Sequence, residues 1–182
     1  MAARTVPAPL AQLPNALTIV RLVVIPIVAV LILASDDGQS WQAAVLFAAA
    51  GVTDQIDGYL ARRWNVESTF GRIADPLADR ILIDVTVILL WHVDRLPWAA
   101  LLIPARDVVL MLATPLVIGR GYRFEVNMLG KIATWVLYAS IALTMLTPPS
   151  ADWPLVLFWI GFGIAVVSAI GYARKARAEV AI

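Results

Sequence analysis

The chain has 182 residues, of which 61% are hydrophobic and 15% charged, and its mean hydropathy is +0.83. Soluble domains carry roughly 45–50% apolar and about 25% charged residues, so this composition excludes an ordinary soluble domain and indicates a membrane protein. The lack of cysteine excludes disulfides and thiol chemistry, and the single histidine excludes a two-histidine site within one chain. The net charge of +1 gives no indication of a nucleic-acid partner, and none is predicted.

Six apolar stretches follow one another along the chain, each close to the ~20 residues that a membrane-spanning helix needs. They predict helices over residues 16–35, 41–62, 74–94, 97–119, 127–147 and 154–173. The first is too long for the hydrophobic core of a signal peptide, so we expect it to be retained. Because the connections are short, the predicted fold class is all-α: an integral membrane bundle of six transmembrane helices forming a single domain, residues 1–182.

The distribution of basic residues predicts how this bundle is oriented. The predicted inner connections and the C-terminal tail hold most of them: Arg62, Arg63, Arg72, Arg120, Arg123, Arg174, Lys175 and Arg177. The outer connections hold only Arg95. Since basic residues concentrate on the cytoplasmic side, both termini are predicted to be cytoplasmic. Trp41, Trp98 and Trp153 then fall near the outer boundary, where an aromatic belt is expected.

Four aspartates interrupt the second and third predicted helices. Asp54 and Asp57 are three residues apart, and Asp75 and Asp79 are four apart, so each pair shares one helical face. Acidic residues in a membrane segment are costly, face the protein interior and indicate function. The short loop over residues 63–73 is expected to bring both pairs together at the cytoplasmic end. Oxygen ligands without histidine or cysteine favour Mg²⁺, Mn²⁺ or Ca²⁺ over zinc.

Small residues and an arginine accompany the first acidic pair. Gly58 and Ala61 lie on the same face as Asp54 and Asp57, and Arg62 follows directly. A guanidinium can bind phosphate in a bidentate manner, so the group suggests a metal-bound diphosphate with an attached base. The structural alternatives are close helix packing for the glycine and a solvated helix cap for any single aspartate.

These residues together resemble a known family motif. The string Asp54-x2-Asp57-Gly58-x2-Ala61-Arg62-x8-Gly71-x3-Asp75-x3-Asp79 is similar to that of the CDP-alcohol phosphotransferases at all eight positions. Residues 13–21 and 130–134 resemble stretches of bacterial members that make phosphatidylglycerophosphate or cardiolipin.

The resemblance implies an enzyme that transfers a substituted phosphate from a CDP-linked donor, here CDP-diacylglycerol, to an alcohol and releases CMP. It implies two divalent cations, Mg²⁺ or Mn²⁺, held by Asp54, Asp57 and Asp75, with Asp79 as general base and further metal contact. The implied nucleotide-binding residues are Asp54, Gly58, Ala61, Arg62 and Gly71. A homodimer in the bacterial cytoplasmic (inner) membrane, with its active site facing the cytoplasm, is also implied.

Charged residues elsewhere are candidates for binding the acceptor alcohol. Arg106, Lys131 and Arg21 are predicted to bind an anionic head group, because charges in apolar surroundings rarely serve structure alone. Three alternatives stay open. Arg106 and Asp107 can simply pair with neighbours, and Arg21 can extend to the inner surface. Arg80 and Asp84, four residues apart, can pair with each other, so neither is assigned a role.

The prediction of which alcohol is the acceptor depends on the lack of a second arginine on the fourth predicted helix. Phosphatidylglycerophosphate synthases resemble this chain but carry a second arginine about two helical turns after the first, and residues 108–115 contain none. A sparse basic pocket suits the singly charged phosphatidylglycerol better than glycerol 3-phosphate. The favoured function is therefore cardiolipin synthesis, with phosphatidylglycerophosphate synthesis as the alternative and inositol-type acceptors third.

Two other classes of membrane protein use intramembrane aspartates. An intramembrane prenyltransferase needs two separate Asp-rich motifs, whereas the acidic residues here cluster once. A cation carrier is expected to show inverted repeats with broken helices, and the sequence has no such symmetry. Both are kept as less favoured alternatives.

Overall fold

A computed structural model describes residues 13–64, 69–118 and 128–180 of the chain. Over these ranges the protein is helical, with six α-helices, one short 3₁₀ turn at Trp98–Leu101 and no strand. The helices are α1 Leu13–Leu33, α2 Trp41–Trp64, α3 Thr69–His92, α4 Leu102–Ile118, α5 Met128–Leu146 and α6 Trp153–Val180. The predicted all-α class is confirmed.

Helix boundaries differ from the sequence-based ones where polar residues continue a helix. The α3 helix begins at Thr69 instead of residue 74, and α6 runs to Val180 instead of residue 173. Apolar length marks where hydrocarbon ends, but a helix can continue into water. The α6 extension is rich in alanine, arginine and lysine, which are strong helix formers.

The centre of the bundle is built on α1. This helix packs along both α2 and α3, while α4 adds to α3, and α5 joins α2 to α6. Buried apolar side chains from all six helices form one core, with Phe47, Leu82, Ile141 and Phe158 fully enclosed. The motif-bearing helices α2 and α3 therefore lie side by side against a common partner.

The outer surface of the bundle is apolar as well. Large hydrophobic side chains such as Val30, Val109 and Val167 are more than half exposed. Within the described residues, two helical segments, Met128–Leu146 and Trp153–Gly171, are long and apolar enough to cross a bilayer. Shorter apolar helical segments occur at Ile19–Leu33 and Trp41–Thr53. A surface of this kind is what a bilayer covers.

One end of the bundle, which we call the tryptophan end, carries the exposed side chains of Trp41, Trp98 and Trp153. Here the last carbonyls of α5 are satisfied by groups from other segments. The Ser40 N–H donates to the Met145 carbonyl at 2.9 Å, and the Arg95 guanidinium donates to the Thr144 carbonyl and to that of Thr147. Leaving helix-terminal carbonyls without hydrogen-bond partners costs free energy, so these bonds stabilise the packing at the tryptophan end.

Candidate active site

The four motif aspartates lie on two helices that contact each other. Asp54 and Asp57 are in α2, and Asp75 and Asp79 are in α3, with helical backbone throughout both pairs. Their separations correspond to about one helical turn. The structure thus agrees with neighbouring helices that each carry one acidic pair.

The side chains of residues 54–79 lie outside the described part of the structure. The metal contacts expected of the aspartates, and the nucleotide contacts expected of Gly58, Ala61, Arg62 and Gly71, therefore stay predictions. Among the side chains that are described, no group of three or more acidic or histidine residues is arranged to hold a metal ion. The donor set of the motif consists of carboxylates, which fit Mg²⁺ or Mn²⁺.

A buried ion-pair cluster begins one residue beyond the motif. The Asp107 carboxylate on α4 is 5% exposed, and its Oδ1 accepts hydrogen bonds from two arginines. Arg106 donates from Nε at 2.9 Å and from Nη2 at 2.7 Å, and Arg80 of α3 donates from Nη1 at 3.3 Å. The carboxylate thereby joins α3 to α4 directly next to Asp79. We call Arg80 and Arg106 the arginine pair.

The bond between Arg106 and Asp107 constrains the arginine. Adjacent residues in a helix do not normally face each other, so the Arg106 side chain must bend around the helix to reach its neighbour. Its guanidinium is consequently held on the side of α4 that meets α3, where Arg80 also ends. Both arginines remain partly accessible, with 41% of Arg80 and 29% of Arg106 exposed.

A second carboxylate borders the same cluster. Asp84, one turn after Arg80 on α3, interacts electrostatically with Asp107, Arg80 and Arg106. Its Oδ1 is buried and accepts no hydrogen bond from the described residues. The cluster therefore contains two cations and two anions, and only Asp107 binds both arginines directly.

The remaining acceptor candidates lie on other helices. Arg21 of α1 is almost fully buried, with 2% of its surface exposed. Lys131, in the first turn of α5, is exposed. Of the three predicted acceptor residues, Arg106 is the one that the structure places in the ion-pair cluster.

Sequence reasoning left Arg80 and Asp84 unassigned because their spacing allows them to pair with each other. The structure pairs Arg80 with Asp107 instead, so Asp107 does pair with neighbouring side chains, while the acceptor role of Arg106 stays a prediction. The one signal that could have singled out Arg80 is its position directly after the motif. Helical spacing within one segment could not reveal a partner on another helix.

The helical bundle, its apolar surface and the acidic motif on two adjacent helices define a membrane-bound transferase of the kind expected from the motif. The chain matches the CDP-alcohol phosphatidyltransferase family over residues 11–169. It belongs to that family, and it is an enzyme of the phosphatidyltransferase type. The resemblance seen in the sequence is confirmed.

Characterised relatives match along most of their length. A "CDP-diacylglycerol--glycerol-3-phosphate 3-phosphatidyltransferase" of Bacillus subtilis is 32% identical over 185 residues, covering 90% of this chain and 94% of the relative. A "Cardiolipin synthase (CMP-forming)" of Streptomyces coelicolor is 35% identical over 189 residues, covering 93% and 86%. A glycerol-3-phosphate 3-phosphatidyltransferase of Escherichia coli K12 is 28% identical over 180 residues, covering 92% and 96%.

Proposed function

We propose that this enzyme transfers the phosphatidyl group from CDP-diacylglycerol to glycerol 3-phosphate and releases CMP. The observation that carries the proposal is the complete acidic motif on two contacting helices of a chain that belongs to this family. Relatives from Bacillus subtilis and Escherichia coli, aligned over at least 90% of this chain, are named for this reaction.

The acceptor proposed here differs from the one favoured by the sequence alone. Along α4 the sequence has a single arginine, Arg106. The arginine of α3, Arg80, ends on the same carboxylate as Arg106, so two guanidinium groups meet where one was expected. Two guanidinium groups suit the more highly charged glycerol 3-phosphate, and the relatives from Bacillus subtilis and Escherichia coli favour the same acceptor.

In the proposed reaction an oxygen of the acceptor attacks the phosphatidyl phosphorus, and the bond from that phosphorus to the CMP oxygen breaks. Asp79 takes the proton of the attacking hydroxyl, which requires hydrogen-bond reach of about 2.6–3.2 Å. Asp54, Asp57 and Asp75, with Asp79, would hold two Mg²⁺ or Mn²⁺ ions. When bound, such ions neutralise the diphosphate and the charge on the departing CMP.

The other motif residues are assigned to the nucleotide. Asp54, Gly58, Ala61, Arg62 and Gly71 form the proposed CDP pocket, with the small residues allowing close approach to the backbone. Arg106, Lys131 and Arg21 are the proposed acceptor-binding residues. In this arrangement the donor is bound by α2 and the start of α3, and the acceptor by residues of α1, α4 and α5.

The second candidate function is cardiolipin synthesis, with phosphatidylglycerol as the acceptor. The similarity to the Streptomyces coelicolor cardiolipin synthase favours it. Both functions share the donor, the metals and the motif, and they differ only in the alcohol.

We further propose that all six helices cross the bacterial cytoplasmic membrane, with both termini and the active site on the cytoplasmic side. The basic residues of the predicted inner connections support this orientation. A homodimer is proposed from the family resemblance. Exposed Gly163 and Gly171 of α6 have no atom within 4 Å of the position of an added Cβ, so α6 has room for a second copy there.

The test is turnover by the purified protein with CDP-diacylglycerol and Mn²⁺ or Mg²⁺, offering glycerol 3-phosphate and phosphatidylglycerol in parallel. CMP release with glycerol 3-phosphate, together with a phosphatidylglycerophosphate product, supports the proposal. CMP release only with phosphatidylglycerol would establish the second candidate and refute the first. No release with either alcohol would refute both acceptors.

A further inference from the structure

We infer that Arg80 is a second acceptor-binding residue and that Asp107 is the positioning residue that holds Arg80 and Arg106 together to bind the phosphate of the acceptor. The inference rests on the proposed function for the identity of the acceptor, but the phosphate-binding role can be tested separately. It assigns a role to two charged residues, Arg80 and Asp107, that the motif does not include.

The hydrogen bonds of the Asp107 carboxylate bring the two arginines together. A single oxygen, Asp107 Oδ1, accepts from both arginines, although they come from different helices. Each guanidinium has five N–H donors in a planar fork. The Asp107 bonds engage one donor of Arg80 and two of Arg106, so among the described side chains most donors of the arginine pair remain for another anion.

The Asp107 carboxylate is much more buried than the two arginines that it binds. Asp107 is 5% exposed, whereas Arg80 and Arg106 are 41% and 29% exposed. A buried ion pair seldom stabilises a fold more than apolar residues of the same size would. A carboxylate buried behind two accessible arginines instead fixes their position, which is what a site for a charged ligand requires.

The arginine pair begins directly after the acidic motif in the sequence. Arg80 follows Asp79, the proposed general base, in the same helix. Along the α3 backbone the arginine pair therefore begins one residue from the proposed base, and glycerol 3-phosphate carries its phosphate and its hydroxyl groups only a few ångströms apart. A phosphate monoester carries about −1.5 to −2 charges at neutral pH, which matches two guanidinium groups better than one.

Asp84 provides the sharpest test, because a purely structural network and a phosphate site predict different results for its replacement. Its carboxylate interacts with both arginines and would repel an incoming phosphate. Replacing it by asparagine removes the repulsion while keeping the shape. If the arginine pair binds phosphate, Asp84→Asn tightens acceptor binding; if the cluster only joins helices, the acceptor is unaffected.

The experiment measures CMP release by the full-length protein in nanodiscs, with glycerol 3-phosphate varied at saturating CDP-diacylglycerol and the reverse. Arg80→Gln is expected to raise the acceptor KM about 10- to 100-fold, as loss of a charge-assisted bond would. The donor KM should change less than about twofold. Asp84→Asn is expected to lower the acceptor KM about threefold or more. Exposed Arg174→Gln and Asp152→Asn are the matched controls, expected to change neither constant.

Asp107→Asn retains an acceptor oxygen but loses the charge that orients the arginine pair. We expect a rise in acceptor KM without a matching rise in donor KM, whereas a merely structural role would lower the active fraction and leave both constants unchanged. If this variant does not fold, Arg80→Gln and Asp84→Asn decide the question. An unchanged acceptor KM in Arg80→Gln, or equal changes for both substrates, overturns the inference.

Failure of the proposed acceptor would be distinguishable from failure of this inference. If the wild type uses phosphatidylglycerol instead, the same variants are measured with that lipid, and a selective rise in its KM supports the arginine pair as a phosphodiester site. If neither alcohol is used, glycerol 3-phosphate binding is measured by calorimetry with CDP and Mg²⁺ present. Weaker binding in Arg80→Gln supports the inference, and undetectable or equal binding overturns it.

Discussion

The tryptophan end and the ion-pair cluster both contain partly buried arginines, but the arginines have different partners. Arg95 donates to the backbone carbonyls of Thr144 and Thr147 and so completes the end of α5. Burial lowers the pKa of the Arg95 guanidinium, while Asp37 acts in the opposite direction. Arg80 and Arg106 donate to one side chain and leave other donors accessible. The first arrangement provides donors for the carbonyls at a helix end. The second leaves N–H donors that can bind an anionic ligand.

The contrast shows that the partner of an arginine tells more about its role than its burial does. Backbone carbonyls at a helix end must be satisfied in every state of the protein. A carboxylate that holds two guanidinium groups has no such structural necessity. The predictions below separate fold from function by replacing residues of each region.

The largest effect is expected at the motif. Asp79→Asn removes the proposed general base and should lower kcat by about 10²- to 10⁴-fold. Metal-dependent CDP binding, measured by calorimetry with Mg²⁺, should persist because Asp54, Asp57 and Asp75 remain. Asp152→Asn at the tryptophan end is the control and should retain full turnover. Near-normal turnover in Asp79→Asn would mean that another group accepts the proton.

The next effect is on substrate selectivity. Arg106→Gln should raise the KM for the acceptor about 10- to 100-fold, because a charge-assisted bond to its phosphate is lost. The KM for CDP-diacylglycerol should stay within about twofold. Steady-state CMP release with each substrate varied gives both constants. Equal effects on both would place Arg106 outside the acceptor pocket.

Stability, not selectivity, should respond at the tryptophan end. Arg95→Gln leaves α5 carbonyls without their guanidinium donor and should lower the free energy of unfolding by about 1–3 kcal/mol. Denaturant unfolding in mixed micelles gives this value. The KM values at low temperature should match those of the wild type. A selective change in acceptor KM would contradict the division between the two regions.

The smallest effect concerns the connection between α1 and α2. Gly38 has a φ of +65°, and a Cβ there would lie 2.5 Å from Val93 Cγ2 and 2.9 Å from Arg95 Cγ. Gly38→Ala should therefore lower Tm, with a cost of about 1–2 kcal/mol from the left-handed backbone alone. Gly163→Ala is the control, since no atom lies within 4 Å of its added Cβ. Equal Tm values for the two variants would show that the connection adapts freely.

Much of the fold could be predicted from the sequence, because the thickness of the bilayer's hydrocarbon core sets the length of the apolar stretches in a membrane protein. Six apolar stretches predicted six helices, and all six are present in the described ranges. The first turn of α3 and the last turns of α6 were missed, since those residues are helical without being apolar. The motif and its family were also readable, because fixed spacing along two helices is a property of the chain itself.

The ion pairs of the proposed acceptor site could not be predicted in the same way. The sequence fully determined which charges lie in apolar segments, and it identified Arg106 and Asp107 as unusual. It could not determine that Arg80 of α3 binds Asp107 of α4 in preference to Asp84, one turn away. Periodicity reports which residues share a face of one helix, whereas partners on two helices depend on how those helices pack. Only the tertiary structure decided that the two arginines meet at one carboxylate.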